Sequence, residues 1–318
     1  MSTAGVLLMT FGSAVTAADV PSYLASVRSG REVPPEVISE FTRRYERIGR
    51  SPLIDITLAQ AAALREELVR RHGDAAPRVG AGMLHSAPHI DAALSGLVAR
   101  GVDSLIAVVL APQYSPIILA GYERAIERAR ATHPSVEMRI AAAWHLIPAW
   151  VDSLAERVRA ALSELPDQAR RRTPIIFTAH SLPRAVVDRD PAYIDQLRET
   201  AAAVASRLEL PAERWTFAYQ SAGHTPEEWL TPDVKDLLPA LHESGFDDVL
   251  VVPVQFLADH LEILYDIDVA AREEAAQHGM RLHRIDLPNT SPQLVRALAD
   301  VADRELAAMP ARTRPENP

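Results

Sequence analysis

Two segments of the chain carry polar side chains where apolar runs end, and their residue types suit metal binding and proton transfer. In the first segment, His180 follows an apolar run that ends at Ala179. A neutral imidazole at that point can bind a metal or accept a proton. In the second segment, Glu262 and Asp266 stand four residues apart, which places both carboxylates on one face of a helix. A row of acids leading out of a cleft could pass divalent cations or protons.

A third carboxylate extends this row, although structural roles compete with the functional one. Glu273 comes 11 residues after Glu262, which is about three turns at 3.6 residues per turn, so an α-helix returns it to the same face. However, Asp259-x-x-Glu262 is also a capping box, and acids favour the first turn of any helix. A lone histidine such as His180 can equally cap a helix or hydrogen-bond a loop. Each segment taken alone leaves both interpretations open.

Other enzyme signatures are incomplete in this sequence. Gly80-Ala-Gly82 runs into Met-Leu-His, so the dinucleotide fingerprint G-x-G-x-x-G is missing. The segment from Ala179 to Pro183 resembles a nucleophile elbow but lacks both of its glycines. His260-Leu-Glu262 has the H-x-E of zinc deaminases, yet their partner cysteines are absent because the chain contains no cysteine.

Composition narrows the classes of protein further. The 318 residues include 33 Lys and Arg against 42 Asp and Glu, and the net charge of −9 argues against nucleic acid as a partner. The absence of cysteine excludes disulfides, thiolate zinc sites and cysteine-bound iron–sulfur clusters. No apolar run approaches the ~20 residues of a membrane span. Arg28 is the first basic residue, so a signal peptide is not predicted and we expect a cytoplasmic protein.

Eight short apolar runs alternate with amphipathic segments along the chain, and these elements must position the polar residues. Continuous apolar runs are typical of strands covered on both faces by helices, and the alternation predicts parallel sheets with right-handed crossovers. The predicted strands are Gly5–Phe11, Arg78–Leu84, Ser104–Ala111, Glu137–Trp144, Pro174–Ala179, Thr216–Gln220, Asp248–Phe256 and Arg281–Leu287. The clearest predicted helices are Ile56–His72, His89–Arg100, Tyr193–Leu208 and His260–His278.

The runs divide four and four around a predicted linker helix near Pro148–Leu165 and the polar stretch Pro166–Arg172. This pattern predicts an α/β protein with two similar Rossmann-like domains, each a four-stranded parallel sheet flanked by helices. We place the N-terminal domain at 1–147, the C-terminal domain at 148–309 and a frayed tail at 310–318. A cleft is expected at the carboxyl ends of the strands, where loops collect ligands.

The chain resembles the ferrochelatase family over nearly its whole length, from about Gly5 to Ala307. The motifs that carry the resemblance occur in the family's order and spacing: Thr178-Ala-His180-Ser-Leu-Pro183, Tyr219-Gln-Ser221, Glu228-Trp-Leu-Thr-Pro232 and Asp259-His-Leu-Glu-Ile-Leu-Tyr-Asp266. Upstream motifs match as well: Leu7-Leu-Met-Thr-Phe-Gly12, Ser51-Pro-Leu53 and Leu110-Ala-Pro-Gln-Tyr-Ser115. More closely, the chain is similar to the compact, cysteine-free ferrochelatases of Gram-positive bacteria that act on coproporphyrin III.

The resemblance implies a chelatase fold with a porphyrin cleft between its domains. His180 and Glu262 match the pair that holds the incoming Fe²⁺, which is a substrate, and no prosthetic group is implied. His180 would accept pyrrole protons, while Asp266 and Glu273 would relay protons or metal from solvent. Arginines suit the porphyrin propionates because a guanidinium binds a carboxylate in a bidentate way. The positions that match the porphyrin-binding residues are Phe11, Arg28, Arg44, Tyr45, Ser51 and Tyr122.

Two positions depart from the family pattern. Where the coproporphyrin branch often has a tyrosine whose phenolate can ligate product iron, this chain has Phe11, which has no donor atom. The family's acidic row continues eight residues after the glutamate, where this chain has Ala270. Glu273 would replace that acid in part, about one turn further on.

Several alternatives stay open at this stage. A cobalt chelatase acting on a related tetrapyrrole would share the fold, and a non-catalytic porphyrin or haem carrier would share the cleft. A two-domain sugar-binding protein explains the sequence least well, because it would normally carry a secretion signal. The expected small-molecule partners are coproporphyrin III or protoporphyrin IX and ferrous iron. We also expect a monomer, with hand-over of the product to another haem-pathway enzyme.

Overall fold

Each of the eight apolar runs contains a strand, as predicted, but the fourth, seventh and eighth strands end three or four residues earlier than predicted. The computed structural model describes residues 3–223 and 226–309, so the predicted tail at 310–318 lies outside the described residues. Nearly every strand residue is buried in β1, β3, β5 and β7, as expected for strands with helices on both faces. The strands are β1 Ala4–Thr10, β2 Arg78–Met83, β3 Ser104–Val109, β4 Glu137–Ile140, β5 Ile175–His180, β6 Trp215–Gln220, β7 Asp248–Pro253 and β8 Arg281–Arg284.

The strands form two four-stranded sheets with the same topology. The first sheet has the order β2-β1-β3-β4 and the second has the order β6-β5-β7-β8, and all six pairings are parallel. The predicted fold class is therefore confirmed. Strand order reverses beside β1 in the first sheet and beside β5 in the second. In open parallel sheets, ligands bind at such reversal points, beyond the carboxyl ends of the strands.

Helices fill the connections between the strands. The helices predicted at Ile56–His72, His89–Arg100 and Tyr193–Leu208 are confirmed, with ends that differ by one to three residues. The α-helices are α1 Val20–Val27, α2 Pro35–Ile48, α3 Leu53–His72, α4 Ile90–Ala99, α5 Pro116–Thr132, α6 Pro148–Ser163, α7 Asp167–Arg172, α8 Arg184–Val187, α9 Ala192–Arg207, α10 Leu238–Glu243, α11 Arg272–Gln277 and α12 Pro292–Ala307. None of the helices in the described residues is long and apolar enough to cross a membrane.

The predicted helix His260–His278 forms with a different geometry. Its first part, Glu262–Ala271, is a π-helix, and only the continuation in α11 is α-helical. The i→i+5 hydrogen bonds of a π-helix put more residues into each turn than the 3.6 of an α-helix. The buried residues Ile263, Ile267 and Ala271 recur every four residues, a spacing that suits the wider turn.

Two helices connect the halves of the molecule. The predicted linker helix is confirmed as α6, but it is a packed element whose buried residues include Trp150, Leu154 and Val158. It packs on α9, α12 and β7, while α12 packs on α3, α6 and β3. One buried apolar cluster accordingly contains residues of both sheets. The polar stretch after α6 is also ordered, because it contains α7. The proposed domain boundary at residue 147 stays a prediction.

A smaller apolar cluster places helices from the first half against the second half. Val20 and Leu24 of α1 and Tyr45 of α2 pack with Leu261 and Tyr265, which lie at the start of the π-helix. This contact brings polar residues of α2 next to the acids of the π-helix.

Candidate metal and porphyrin site

His180 is the last residue of β5, at the carboxyl edge of the second sheet. Its backbone N–H donates to Gln255 Oε1 at 2.9 Å, which ties the strand end to the loop after β7. Its ring Nδ1 donates to the carbonyl oxygen of Ser181. In the neutral ring this contact fixes the proton on Nδ1, so the lone pair of Nε2 is available to a metal or a proton.

Glu262 begins the π-helix and faces that lone pair. Its Oε2 lies 3.6 Å from His180 Nε2 and 3.7 Å from His260 Nε2, and both distances are too long for a direct hydrogen bond. Burial opposes ionisation of Glu262, but the histidines and Arg44 outweigh it and lower the pKa of the carboxyl group to about 2. Glu262 is therefore an anion near neutral pH, which suits a cation ligand.

His260 is a site residue to which the sequence analysis gave no role. Its side chain is 15% exposed, and its Nδ1 lies 2.9 Å from the carbonyl oxygen of Ala258. Burial would lower the pKa of His260, but the adjacent Glu262 carboxylate raises it overall. The residue stood inside the D-H-x-E motif, so the sequence did contain a signal for it.

The structure does not realise the capping box that competed with a functional role for Glu262. Leu261 is the N-cap of the π-helix, and no side chain caps it. The Asp259 carboxylate instead accepts a hydrogen bond from Asn289 Nδ2 at 2.7 Å, and Asn289 Oδ1 accepts one from the Asp259 backbone N–H at 2.9 Å. Asp259 therefore binds Asn289, a residue 30 positions away in the sequence, instead of capping the helix.

Asp266 and Arg44 meet across the contact between α2 and the π-helix. Arg44 Nη1 lies 3.3 Å from Asp266 Oδ1, and its Nε donates to Glu40 Oε1 at 2.8 Å. The Arg44 guanidinium also lies over the Tyr265 ring, 5.2 Å from its centroid. Burial raises the pKa of Asp266 above its usual range, and the nearby Glu262 carboxylate adds to this effect.

Glu273 lies at the protein surface. Its Oε1 accepts a hydrogen bond from Arg47 Nη2 at 2.7 Å, and its side chain is 59% exposed. Glu273 was expected on the face of Glu262 because an α-helix has 3.6 residues per turn. The segment between them is mostly a π-helix, so that expectation does not apply. A relay role for Asp266 and Glu273 stays a prediction.

Phe11 lies just beyond the end of β1, at the carboxyl edge of the first sheet. The residue is 43% exposed, so its ring is not part of the core. It packs on the ring of His85, with 4.5 Å between the centroids, and His85 Nδ1 lies 3.0 Å from the Ser26 hydroxyl. Burial lowers the pKa of His85. His85 follows β2, and the sequence analysis gave it no role.

Three of the predicted porphyrin-binding residues lie below the surface. Tyr45 is 1% exposed and Ser51 is 2% exposed, and the Ser13 hydroxyl lies 2.8 and 2.9 Å from their hydroxyl oxygens. Tyr122 on α5 is 4% exposed and packs in an apolar cluster. Contact of these buried side chains with a porphyrin stays a prediction.

Arg28 and Arg31 are exposed at the carboxyl end of α1. Arg31 Nε donates to the Arg28 carbonyl oxygen at 3.2 Å, and Arg28 Nη1 donates to the Glu32 carbonyl oxygen at 3.2 Å. These backbone contacts hold both side chains against the turn that follows α1, a helix whose Tyr23 and Ser26 contact the loops after β1 and β2.

The donor atoms of His180 and Glu262 suit a divalent cation. His180 and Glu262 offer one nitrogen and one oxygen, which suit borderline Fe²⁺. Within residues 3–223 and 226–309, no three His, Asp or Glu side chains are grouped as a metal site. A site with two protein donors leaves coordination positions for water or for pyrrole nitrogens.

The fold is that of the chelatases. The structure of the SirB protein from Bacillus subtilis with Fe³⁺ superposes with a TM-score of 0.63 at 15% identity, covering 97% of this chain and 96% of that chain. At such low identity the likeness establishes the architecture of two parallel sheets around a cleft.

The sequence relatives define the family within this class. A family model for ferrochelatase matches residues 3–306. The chain is 38% identical over 305 residues to a ferrochelatase from Deinococcus radiodurans, covering 95% of this chain and 96% of the relative. It is 35% identical over 301 residues to a coproporphyrin III ferrochelatase from Geobacillus kaustophilus, covering 94% and 95% respectively. The chain therefore belongs to the ferrochelatase family, whose members are lyases.

Proposed function

We propose that this ferrochelatase inserts Fe²⁺ into coproporphyrin III, with His180 and Glu262 as the residues that handle the metal. The observation that carries the proposal is the approach of His180 Nε2 to Glu262 Oε2 at 3.6 Å, at the carboxyl edge of the second sheet. A gap of that size between a nitrogen and an oxygen donor can admit a cation that touches both groups.

Metal insertion requires the loss of two pyrrole protons and the desolvation of the ion. His180 Nε2 has the free lone pair needed to accept a pyrrole proton, since Nδ1 is bound to the Ser181 carbonyl oxygen. The ionised Glu262 offsets the positive charge of Fe²⁺ as water leaves the ion. Asp266 lies next along the π-helix, and its raised pKa suits a group that gains and loses protons.

The preference for coproporphyrin III is argued from charge. Coproporphyrin III carries four propionates, whereas protoporphyrin IX carries two. The exposed Arg28 and Arg31 follow α1, and the half-buried Arg44 lies on α2; both helices pack in the apolar cluster that contains Leu261, next to Glu262. Relatives at about 35% identity named coproporphyrin III ferrochelatase support the same choice.

The direct test is anaerobic Fe²⁺ insertion by the purified protein, followed by absorbance, with coproporphyrin III and protoporphyrin IX as competing substrates. We expect a higher kcat/KM with coproporphyrin III, because more propionates meet the arginines. A preference for protoporphyrin IX would overturn the substrate assignment. The double variant Arg28→Gln/Arg31→Gln should reduce the preference, while Arg128→Gln, an exposed arginine on α5, serves as the matched control.

The same assay separates the other candidate functions. A cobalt chelatase would prefer Co²⁺ to Fe²⁺ at equal concentrations, and a carrier would bind the porphyrin without metalating it. The cytoplasmic location, the monomeric state and the hand-over of product stay predictions from the sequence.

A further inference from the structure

The direction of Glu262 is set by the backbone that carries it. Within the described residues, its buried Oε2 has no hydrogen-bond partner, and both histidine neighbours lie beyond hydrogen-bonding distance. Because Oε2 lacks a hydrogen bond, the distance between Glu262 and His180 depends on the position of the backbone that carries Glu262. Extended π-helices are rare, so contacts outside the helix must hold this one in place.

Arg284, the last residue of β8, makes such contacts. Its side chain is 10% exposed. Its Nε and Nη2 donate to the two oxygens of Asp268 at 2.9 and 2.7 Å, and its Nη1 donates to the Ile285 carbonyl oxygen at 2.8 Å. The same Nη1 lies 3.5 Å from Asp259 Oδ1. One planar group therefore contacts two carboxylates, a geometry that lysine cannot reproduce.

The two carboxylates bracket the reacting segment in sequence. Asp259 precedes Glu262 by three residues, and Asp268 follows it by six. Hydrogen bonds to Asp268 and a longer ion pair with Asp259 let Arg284 constrain how far the chain advances between the two acids. That advance per residue is the quantity that distinguishes a π-turn from an α-turn. The reciprocal hydrogen bonds between Asn289 and Asp259 secure one end of this span.

We propose that Arg284 is a positioning residue: through Asp259 and Asp268 it holds the π-helix in the register that aims Glu262 at His180. This inference rests on the proposed function for its kinetic readout. Burial alone would lower the pKa of Arg284, but Asp268 and Asp259 raise it overall, so the guanidinium keeps its charge. Asp268 also has a second partner in Arg272 at 3.4 Å, so removing the Arg284 charge does not leave it without a cation.

Arg281 on the same strand provides a matched control. It binds Asp248 through Nε and Nη2 at 2.8 and 2.7 Å, the same bidentate arrangement, but this pair does not touch the π-helix. Asp248 keeps His283 as a partner at 2.8 Å when Arg281 is neutralised. Arg281→Gln therefore controls for the loss of a bidentate arginine on β8, although Arg281 is 66% exposed and Arg284 only 10%.

We expect Arg284→Gln to lower kcat for Fe²⁺ insertion by about ten- to a hundredfold, since a misplacement near 1 Å has effects of that size. The Kd for coproporphyrin III should stay within about twofold, and Arg281→Gln should leave both quantities within about twofold. Asp268→Asn should also lower kcat, and it replaces Arg284→Gln in the test if that variant does not fold. Equal kcat values for Arg284→Gln and Arg281→Gln would overturn the proposal.

A double-mutant cycle tests whether Arg284 acts through Glu262. In a Glu262→Gln background, Arg284→Gln should have little further effect on kcat, because the group it positions is gone. An equal fold-loss in both backgrounds would overturn the proposal. Titration with Co²⁺ alone keeps this test separate from the porphyrin chemistry: Arg284→Gln should weaken Co²⁺ binding about tenfold, whereas an unchanged affinity overturns the positioning role even where metal insertion fails.

Discussion

At the scale of single residues, the site depends on where two side chains present their donor atoms. His180 has its Nδ1 bound to a backbone carbonyl, and Glu262 is held anionic by its histidine neighbours and Arg44. Each side chain alone has an ordinary structural role in many proteins. Their approach to 3.6 Å gives the pair a chemistry that neither residue has by itself.

His180→Ala should abolish Fe²⁺ insertion while coproporphyrin III still binds with a modest loss. The reason is that the binding energy of a macrocycle lies mostly in contacts to its face and edge, which alanine does not remove. We would measure kcat anaerobically and Kd by fluorescence quenching. A variant that keeps more than about a tenth of kcat, equivalent to under about 1.4 kcal/mol of barrier, would contradict the role of His180. His278→Ala, which removes a histidine that pairs with Glu274 at the end of α11, is the control.

Phe11→Tyr should place a phenol oxygen at the position where the resemblance to the coproporphyrin branch implies an iron-ligating tyrosine. Phe11 is exposed at the end of β1, so the added hydroxyl does not have to enter the core. We expect the visible spectrum of the bound ferric product to shift and its release to slow, because a metal–oxygen bond must then break. Phe11→Leu, which removes the ring without adding a donor, should show no such shift. An unchanged product spectrum in Phe11→Tyr would mean that this side chain does not face the iron.

At the scale of elements, the π-helix and α2 form the wall that joins the two halves of the site. Arg44 and Arg47 on α2 pair with Asp266 and Glu273, respectively. The first pair is mostly buried, with both side chains under 20% exposed at 16% and 17%, whereas both members of the second pair are about 60% exposed. Exposed ion pairs contribute about 0–1 kcal/mol to stability. Removal of Arg47 should therefore change the protein less than removal of Arg44.

Arg44→Gln should raise KM for coproporphyrin III more than KM for protoporphyrin IX, because the porphyrin with more propionates loses more when a cation is removed. Arg47→Gln, three residues along the same helix, should leave both KM values nearly unchanged. Initial rates at varied porphyrin concentration measure both constants. If Arg44→Gln raises KM equally for the two porphyrins, Arg44 does not bind the additional propionates of coproporphyrin III. Its role would then be the ion pair with Asp266.

At the scale of the whole molecule, ion pairs join α3, in the N-terminal half of the chain, to α12, in the C-terminal half. Arg71 donates to Asp300 and Asp303 of α12 at 2.8 Å each, and Glu67 accepts from Arg71 Nε at 2.8 Å. Since α12 also packs on α6 and β3, this network helps to keep both sheets in one body around the cleft.

Glu67 should make stability dependent on pH in the acid range. Hydrogen bonds from Arg70 and Arg71 outweigh burial and lower the pKa of Glu67 to about 2, from an ordinary value of 4.5. Its contribution is therefore fully present above about pH 4.5 and is lost as the pH falls towards 2. We would measure the free energy of unfolding by urea denaturation at a series of pH values. Between pH 4.5 and pH 2 this free energy should fall by about 1–2 kcal/mol less in Glu67→Gln than in the wild type. Glu127→Gln, at an exposed pair with Arg130, is the control. Parallel pH curves for wild type and Glu67→Gln would contradict the assignment.

The sequence by itself determined the order of the eight strands and the positions of several of the helices between them. Strands such as β5 and β7 are continuously apolar because helices cover both of their faces. A run of apolar residues is visible in the sequence without knowledge of the tertiary structure. The strand-end position of His180 followed from the same pattern, and the motifs around His180 and Glu262 identified the family. These features depend on neighbouring residues and on the helical or extended period.

Only the tertiary structure decided the geometry of the site. The α-helical period predicted one face for Glu262 and Glu273, but contacts from Arg284 and Asn289 accompany a π-helix instead. Likewise, Tyr45 lies buried against Ser13 rather than at the cleft surface. The physical reason is that hydrogen-bond register and burial depend on partners far away in the chain, and no local period encodes those partners.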